Sequence, residues 1–126
     1  MKQKKIKLKH TMKSTHLDLT SEFVGFAIKE IDEKTSTYLY THDGIKTFVC
    51  VEKQSLGLMR LDDGMTAVWL NEDKEGLLFK TSSIGNLKIL LRLEKLYLSD
   101  GDIEISYHLM ENNQILDTIT LTWEEL

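Results

Sequence analysis

Four histidines, one cysteine and a scatter of serines are the side chains of this sequence that could bind a metal or attack a substrate. His10, His16, His42 and His108 stand far apart, with no pair at the His-x-x-x-His spacing that puts two imidazoles on one face of a zinc-binding helix. Cys50 lies alone between Val49 and Val51 and reads as a small buried apolar residue. As a nucleophile it would need a base that the sequence does not place. Ser55, Ser82, Ser83 and Ser99 sit beside turns, outside any Gly-x-Ser-x-Gly elbow, and read as loop serines. No glycine-rich loop could cradle a phosphate. No catalytic residue, metal or cofactor is expected, and no enzyme class is favoured.

Three residues could instead hold a ligand. If Gly57, Met59 and Leu61 face one side of a strand, Arg60 shares the other with Leu56 and Leu58. On an inward face its guanidinium must find a carboxylate, carbonyls of the wall or an anionic ligand; on an outward face it is simply solvated. Tyr107 and Tyr38 could offer hydroxyls at the mouth of a pocket, or serve as core aromatics with satisfied hydroxyls. Trp69 and Trp123 read as packing residues.

The elements that must position these groups are strands. Alternating apolar and polar runs are cut by Asp43-Gly44, Asp63-Gly64 and Asp100-Gly101, the signature of antiparallel hairpins. The first strand is expected from about Ile6 to Met12, the second from Leu17 to Ile31 with a bulge or bend at Gly25. Thr37 to Thr41, with Tyr38 and Tyr40 on one face, pairs with Lys46 to Glu52, and Leu56 to Leu61 pairs with Met65 to Leu70. After a polar turn over Asn71 to Gly76 come Leu77 to Thr81 and Gly85 to Leu93, with Leu87, Ile89, Leu91 and Leu93 inward. Glu94 to Leu98, rich in helix formers, reads as a crossover. Asp102 to Glu111 and Gln114 to Trp123 form the clearest hairpin, with Ile103, Ile105, Tyr107, Leu109, Ile119, Leu121 and Trp123 inward. So many strands, about eight to ten, cannot lie flat in a short chain, so the expectation is all-β: an antiparallel closed or nearly closed barrel. The absence of proline suits it.

Arg60 after an apolar strand, Phe79-x-Thr81, Gly85-x-Leu87-x-Ile89, the run Gly101-x-Ile103-x-Ile105-x-Tyr107-x-Leu109 and the Asn113-Gln114 hairpin together resemble the YwiB-like family of Firmicute proteins. The resemblance covers almost the entire chain and is strongest from Gly85 to Gln114. It implies a calycin-like, lipocalin-type β-barrel and a bacterial source, and brings no activity or binding residues with it. Two departures stand out: Arg60-Leu61-Asp62 replaces an Arg-x-Gly turn, and no proline precedes Gly85.

Composition limits the function classes. At 126 residues, 41% hydrophobic and 29% charged, the chain suits one domain with one core. A net charge of -4 argues against nucleic acid as the main partner. Lysines 2, 4, 5, 7, 9 and 13 are the local exception; Ile6, Leu8, His10 and Met12 alternate with Lys5, Lys7, Lys9 and Thr11, as in a strand with one wet face protected from edge pairing. No apolar segment follows them as in a signal peptide, and no stretch approaches the roughly 18 apolar residues of a membrane span. With a single cysteine, a soluble cytoplasmic protein is expected. Three readings follow: a barrel binding a small hydrophobic or amphipathic ligand, anionic if Arg60 points inward; a protein-interaction or homodimerisation module with a filled barrel, supported if Met65, Val68, Leu70 or Leu90 are exposed; and an enzyme, which nothing favours.

Overall fold

The computed structural model describes residues 2–73 and 75–126. Met1 of the basic N-terminus and Lys74, within the turn expected at Asn71–Gly76, lie outside the described residues. Ten antiparallel strands follow one another around a closed barrel: β1 (Lys2–Ser14), β2 (Leu19–Ile31), β3 (Ser36–His42), β4 (Ile45–Val51), β5 (Ser55–Leu61), β6 (Met65–Asn71), β7 (Glu75–Ser82), β8 (Gly85–Ser99), β9 (Asp102–Glu111) and β10 (Gln114–Glu125). Each strand pairs with its sequence neighbours, and β1 closes the ring by pairing Leu8–Ser14 with Ile119–Glu125 of β10. The expected all-β closed barrel is what the chain forms.

The turn residues explain the hairpins. Asp43 and Gly44 both take positive φ, 52° and 78°, the pair of left-handed residues whose twist matches that of the flanking strands. Asn112 and Asn113 do the same between β9 and β10. No bulge lies at Gly25, however. The β1–β2 register runs unbroken through Leu8↔Gly25, and a Cβ there would lie 2.7 Å from the ring of Phe23. The glycine makes room for an aromatic side chain folded over it.

Glu94–Leu98 is not a crossover: β8 continues to Ser99. A bulge at Leu93/Lys95 adds one residue, so the inward phase passes from Ile89, Leu91 and Leu93 to Leu96 and Leu98. Leu87 shares that phase but lies near the end of its hairpin, 51% exposed rather than inward. The outward lysines of β1 do not guard a free edge along its whole length, since its second half pairs with both neighbours.

The interior has two unlike ends. At one, Lys29 points inward from β2 with its side chain 2% exposed, and its ammonium donates to Asp100 (2.9 Å) and Glu125 (2.7 Å). The Tyr38 hydroxyl also donates to Glu125 (2.9 Å). Burial works against the Lys29 charge, but the hydrogen bonds to Glu125 and then Asp100 outweigh it and raise the pKa above the ordinary lysine value. This cluster ties β2, β3, β10 and the β8–β9 turn together. Next to it, Leu8, Val49, Leu56, Leu70, Ile103, Ile105 and Trp123 form a solid apolar layer.

Glu125 is the partner Lys29 depends on, because the Asp100 side chain is almost fully exposed. Glu125→Gln should therefore cost about 2–3 kcal/mol of stability by stranding a buried ammonium, whereas Lys29→Met, which removes the charge, should cost less. Urea denaturation of both variants checks this; a larger loss for Lys29→Met would show that the lysine, not its neutralisation, holds this end.

Candidate functional site

Beyond the apolar layer the opposite half of the barrel is hollow. A cavity of about 290 Å³ opens there, walled by Met12, Leu58, Val68, Leu78, Leu109, Ile119 and Leu121, with His10, Tyr40, His42, Asp43, Arg60 and Tyr107 as its chemically active groups. Apart from Asp43, which stands in the β3–β4 turn, each reaches it through the two-residue period of its strand. His10 follows Leu8 on the inner face of β1, Tyr40 follows Tyr38 on β3, and Arg60 follows Leu56 and Leu58 on β5.

The aromatic groups are fixed to one another. His10 stacks on Trp123 with centroids 4.7 Å apart, and Trp123 Nε1 donates to the Tyr40 hydroxyl at 2.9 Å. Phe23 stacks on Tyr40 at 5.0 Å and leans against His42 at 5.2 Å. His10 Nδ1 lies 2.9 Å from the Thr122 carbonyl. A carbonyl only accepts, so Nδ1 carries the proton and the neutral ring keeps Nε2 as its free acceptor. His42 Nε2 lies 3.4 Å from the Asp43 carboxylate.

Burial dominates the electrostatics. It lowers the pKa of His10 to about 4, opposed by the Thr122 carbonyl and reinforced by the charges of His42 and Arg60. It pushes Tyr40 up to about 12 against the pull of Trp123 and Arg60, and raises Tyr107, with the Asp117 charge adding to it. Both tyrosines are neutral hydroxyls at neutral pH. Among the described residues no carboxylate lies within ion-pairing distance of Arg60, and no side-chain hydrogen bond engages the Tyr107 hydroxyl.

Of the three residues singled out in the sequence, Arg60 and Tyr107 share this cavity. Tyr38 does not: it is spent on Glu125 at the other end, its own pKa raised to about 12 by burial and that carboxylate. Sequence reasoning passed over His10, His42 and Tyr40 as site residues, although the alternation Ile6, Leu8, His10, Met12 already sets His10 on the apolar face. His16 and His108 lie elsewhere. The latter meets the Thr118 hydroxyl (2.8 Å) and Glu94 (3.2 Å). Among the described residues no group of three or more His, Cys, Asp or Glu is placed to hold a metal, and no helix is long and apolar enough to cross a membrane.

Cys50, expected buried, is outside, and Trp69, expected to pack, does so on the outer face. Cys50 faces outward because Val49 and Val51 hold the inner face of β4. Trp69, 47% exposed, lies across Gly57 on the outer face of β5 and β6. With Phe48, Met59, Leu77 and Phe79 they line an apolar groove of about 440 Å³. Val68 and Leu70 are buried, Met65 is half-buried and Leu90 is 60% exposed.

A closed ten-strand barrel, filled at one end and hollow and cationic at the other, is thus the class of protein defined here. No protein-family model matches the chain. No curated protein matches it either. Among solved structures it is similar to the ywiB protein from Bacillus subtilis, at 17% identity and a TM-score of 0.72, over 98% of this chain and 93% of that one. The likeness is one of fold, and it gives the YwiB-like resemblance seen in the sequence a structural counterpart.

His10 is charged below about pH 6.5 in the unfolded chain but resists protonation in the fold to about pH 4. Between those values the unfolded state binds more protons, so this contribution to stability is full above pH 6.5 and falls as the pH drops through the window, by about 3 kcal/mol in all. His10→Asn should flatten that slope in urea melts taken across it; an unchanged slope would assign the acid sensitivity elsewhere.

Proposed function

We propose that this protein is a binding barrel that takes a small amphipathic anion into its hollow half. The observation that carries the reading is Arg60: a permanent cation on the inner wall, without a carboxylate partner among the described residues, beside the free hydroxyl of Tyr107. A guanidinium that lines a cavity without an internal carboxylate is left to bond whatever enters, and an oxyanion of the ligand would give it charge-assisted acceptors. The aliphatic walls would hold the apolar part. A 150 Å³ cavity takes benzene, so 290 Å³ suits a ligand of roughly a dozen non-hydrogen atoms. The calycin-like architecture that the YwiB-like resemblance implies would fit this use of the lumen, and the lone Cys50 would fit a reducing, cytoplasmic setting. The role is binding, with no catalytic step assigned.

A second reading, as a protein-interaction or homodimerisation module, is supported by the exposed groove around Trp69, Met59 and Phe79. It does not need a filled barrel, since the groove lies outside it.

Native mass spectrometry of the protein from its own host should show an excess mass of roughly 150–250 Da per chain, released on denaturation. Arg60→Met should abolish that excess and weaken octanoate binding by about tenfold or more, the loss of one charge-assisted hydrogen-bonding group. A clean wild-type mass together with no octanoate binding would reject the lumen as a site; a clean dimer would favour the outer groove.

A further inference from the structure

We propose that the cavity takes up its anion together with one proton, which comes from solvent and forms a new N–H bond at Nε2 of His10, so that the ligand is bound by imidazolium and guanidinium at once. This rests on the anion-binding reading above and deepens it, naming a carboxylate monoanion as the ligand class and proton concentration as its regulator.

The argument begins with a charge inventory of the wall. Three basic side chains line the cavity, His10, His42 and Arg60, against one acidic one, Asp43. Asp43 stands at the turn beside His42, its side chain 88% exposed, and supplies that imidazole with a counter-charge. The other neighbours of His10 supply none. From β3 it meets the Tyr40 ring and His42, with centroids at 6.2 and 6.4 Å; from β10 it meets Trp123, and Phe23 packs beside them from β2. Tyr107 of β9 lines the same space as a neutral hydroxyl. His10 is thus a base without a carboxylate, in a pocket with an excess of positive charge.

Its tautomer is fixed by the bond to Thr122, which leaves Nε2 as the atom that gains a proton. In the unliganded barrel, burial and the charges of His42 and Arg60 keep it neutral at neutral pH. An anion on Arg60 cancels one of those charges and supplies a new one of opposite sign, so both reasons for staying neutral weaken together. The face of Trp123 against which the ring is stacked then favours a cation. Linkage is reciprocal: if the anion raises the affinity for the proton, the proton raises the affinity for the anion by the same factor.

Isothermal titration calorimetry with octanoate, in buffers of different ionisation enthalpy between about pH 6 and 7.5, counts the protons directly. The expected result is net uptake rising toward one proton per chain at the acid end, with affinity increasing by up to about tenfold per pH unit lowered. His10→Asn should bind octanoate without uptake and without that pH dependence, while His42→Asn should retain both. Octanoate bound with no uptake by the wild type would overturn the proposal and leave the anion site standing. Uptake lost in His42→Asn but kept in His10→Asn would overturn it too, and no octanoate binding at any pH would remove the anion site itself.

Discussion

The pairing of Leu8–Ser14 with Ile119–Glu125 is the constraint on which everything else in this barrel depends. Every other seam joins consecutive strands and can form locally; this one joins the two ends of the chain, and its loop-closure cost falls on the completed meander. Only when it forms does the sheet acquire an inside. It also brings together the residues that distinguish the two ends. On β10, Trp123 backs the His10 ring of the cavity wall while Glu125, two residues on, neutralises Lys29. On β3, Tyr40 belongs to the cavity and Tyr38 to the ionic cluster. One step of the strand period separates a closed end from an open one.

The two ends treat buried charge in opposite ways. Lys29 is nearly inaccessible and is met by two carboxylates and a tyrosine, so its desolvation is offset within the chain. Arg60 and His10 face open volume, and what the fold offers them is an aromatic wall, neutral hydroxyls and each other's repulsion. A site organised only for stability would repeat the first solution at both ends. The contrast is the physical reason to place function in the hollow half.

Much of this architecture was legible in the sequence, because turn chemistry and period-two alternation are local. Asp43-Gly44 and Asn112-Asn113 mark their hairpins by backbone conformations few other residues accept, and Asp102 to Glu111 forms a strand with those same bounds. The misreading of Glu94–Leu98 has a definite cause: the bulge at Leu93/Lys95 shifts the apolar phase by one, and a shifted phase imitates helical spacing. Cys50 was misplaced by residue type, although its apolar neighbours Val49 and Val51 claim the inner face by simple alternation; Trp69 packs as read, on the outer face, because Val68 and Leu70 claim the inner one. Alternation put Tyr38 on one face with Tyr40 and Arg60 on one face with Leu56 and Leu58, but it left the direction of the Arg60 face open and gave neither residue a height in the barrel. Height depends on register across all ten strands, and that puts Tyr38 with Glu125 and Arg60 with Tyr107.

Register also makes the wall uneven beside the cavity. β2 is hydrogen-bonded to β1 along its whole length, from Leu19 to Ile31, but to β3 only over Ile28–Ile31 against Ser36–Leu39. The unpaired stretch of β2 includes Phe23 and Gly25, and the matching stretch of β3 includes Tyr40 and His42, all at the hollow end. There the wall is held by stacked rings rather than by a backbone ladder. Aromatic contacts are each worth about 0.5–1.5 kcal/mol beyond their burial and can re-form after a shift, whereas a slipped ladder must change every pair in its register. The side of the barrel that faces the cationic lumen is therefore the side able to yield without disturbing the closure of β1 on β10 or the ionic cluster at Lys29.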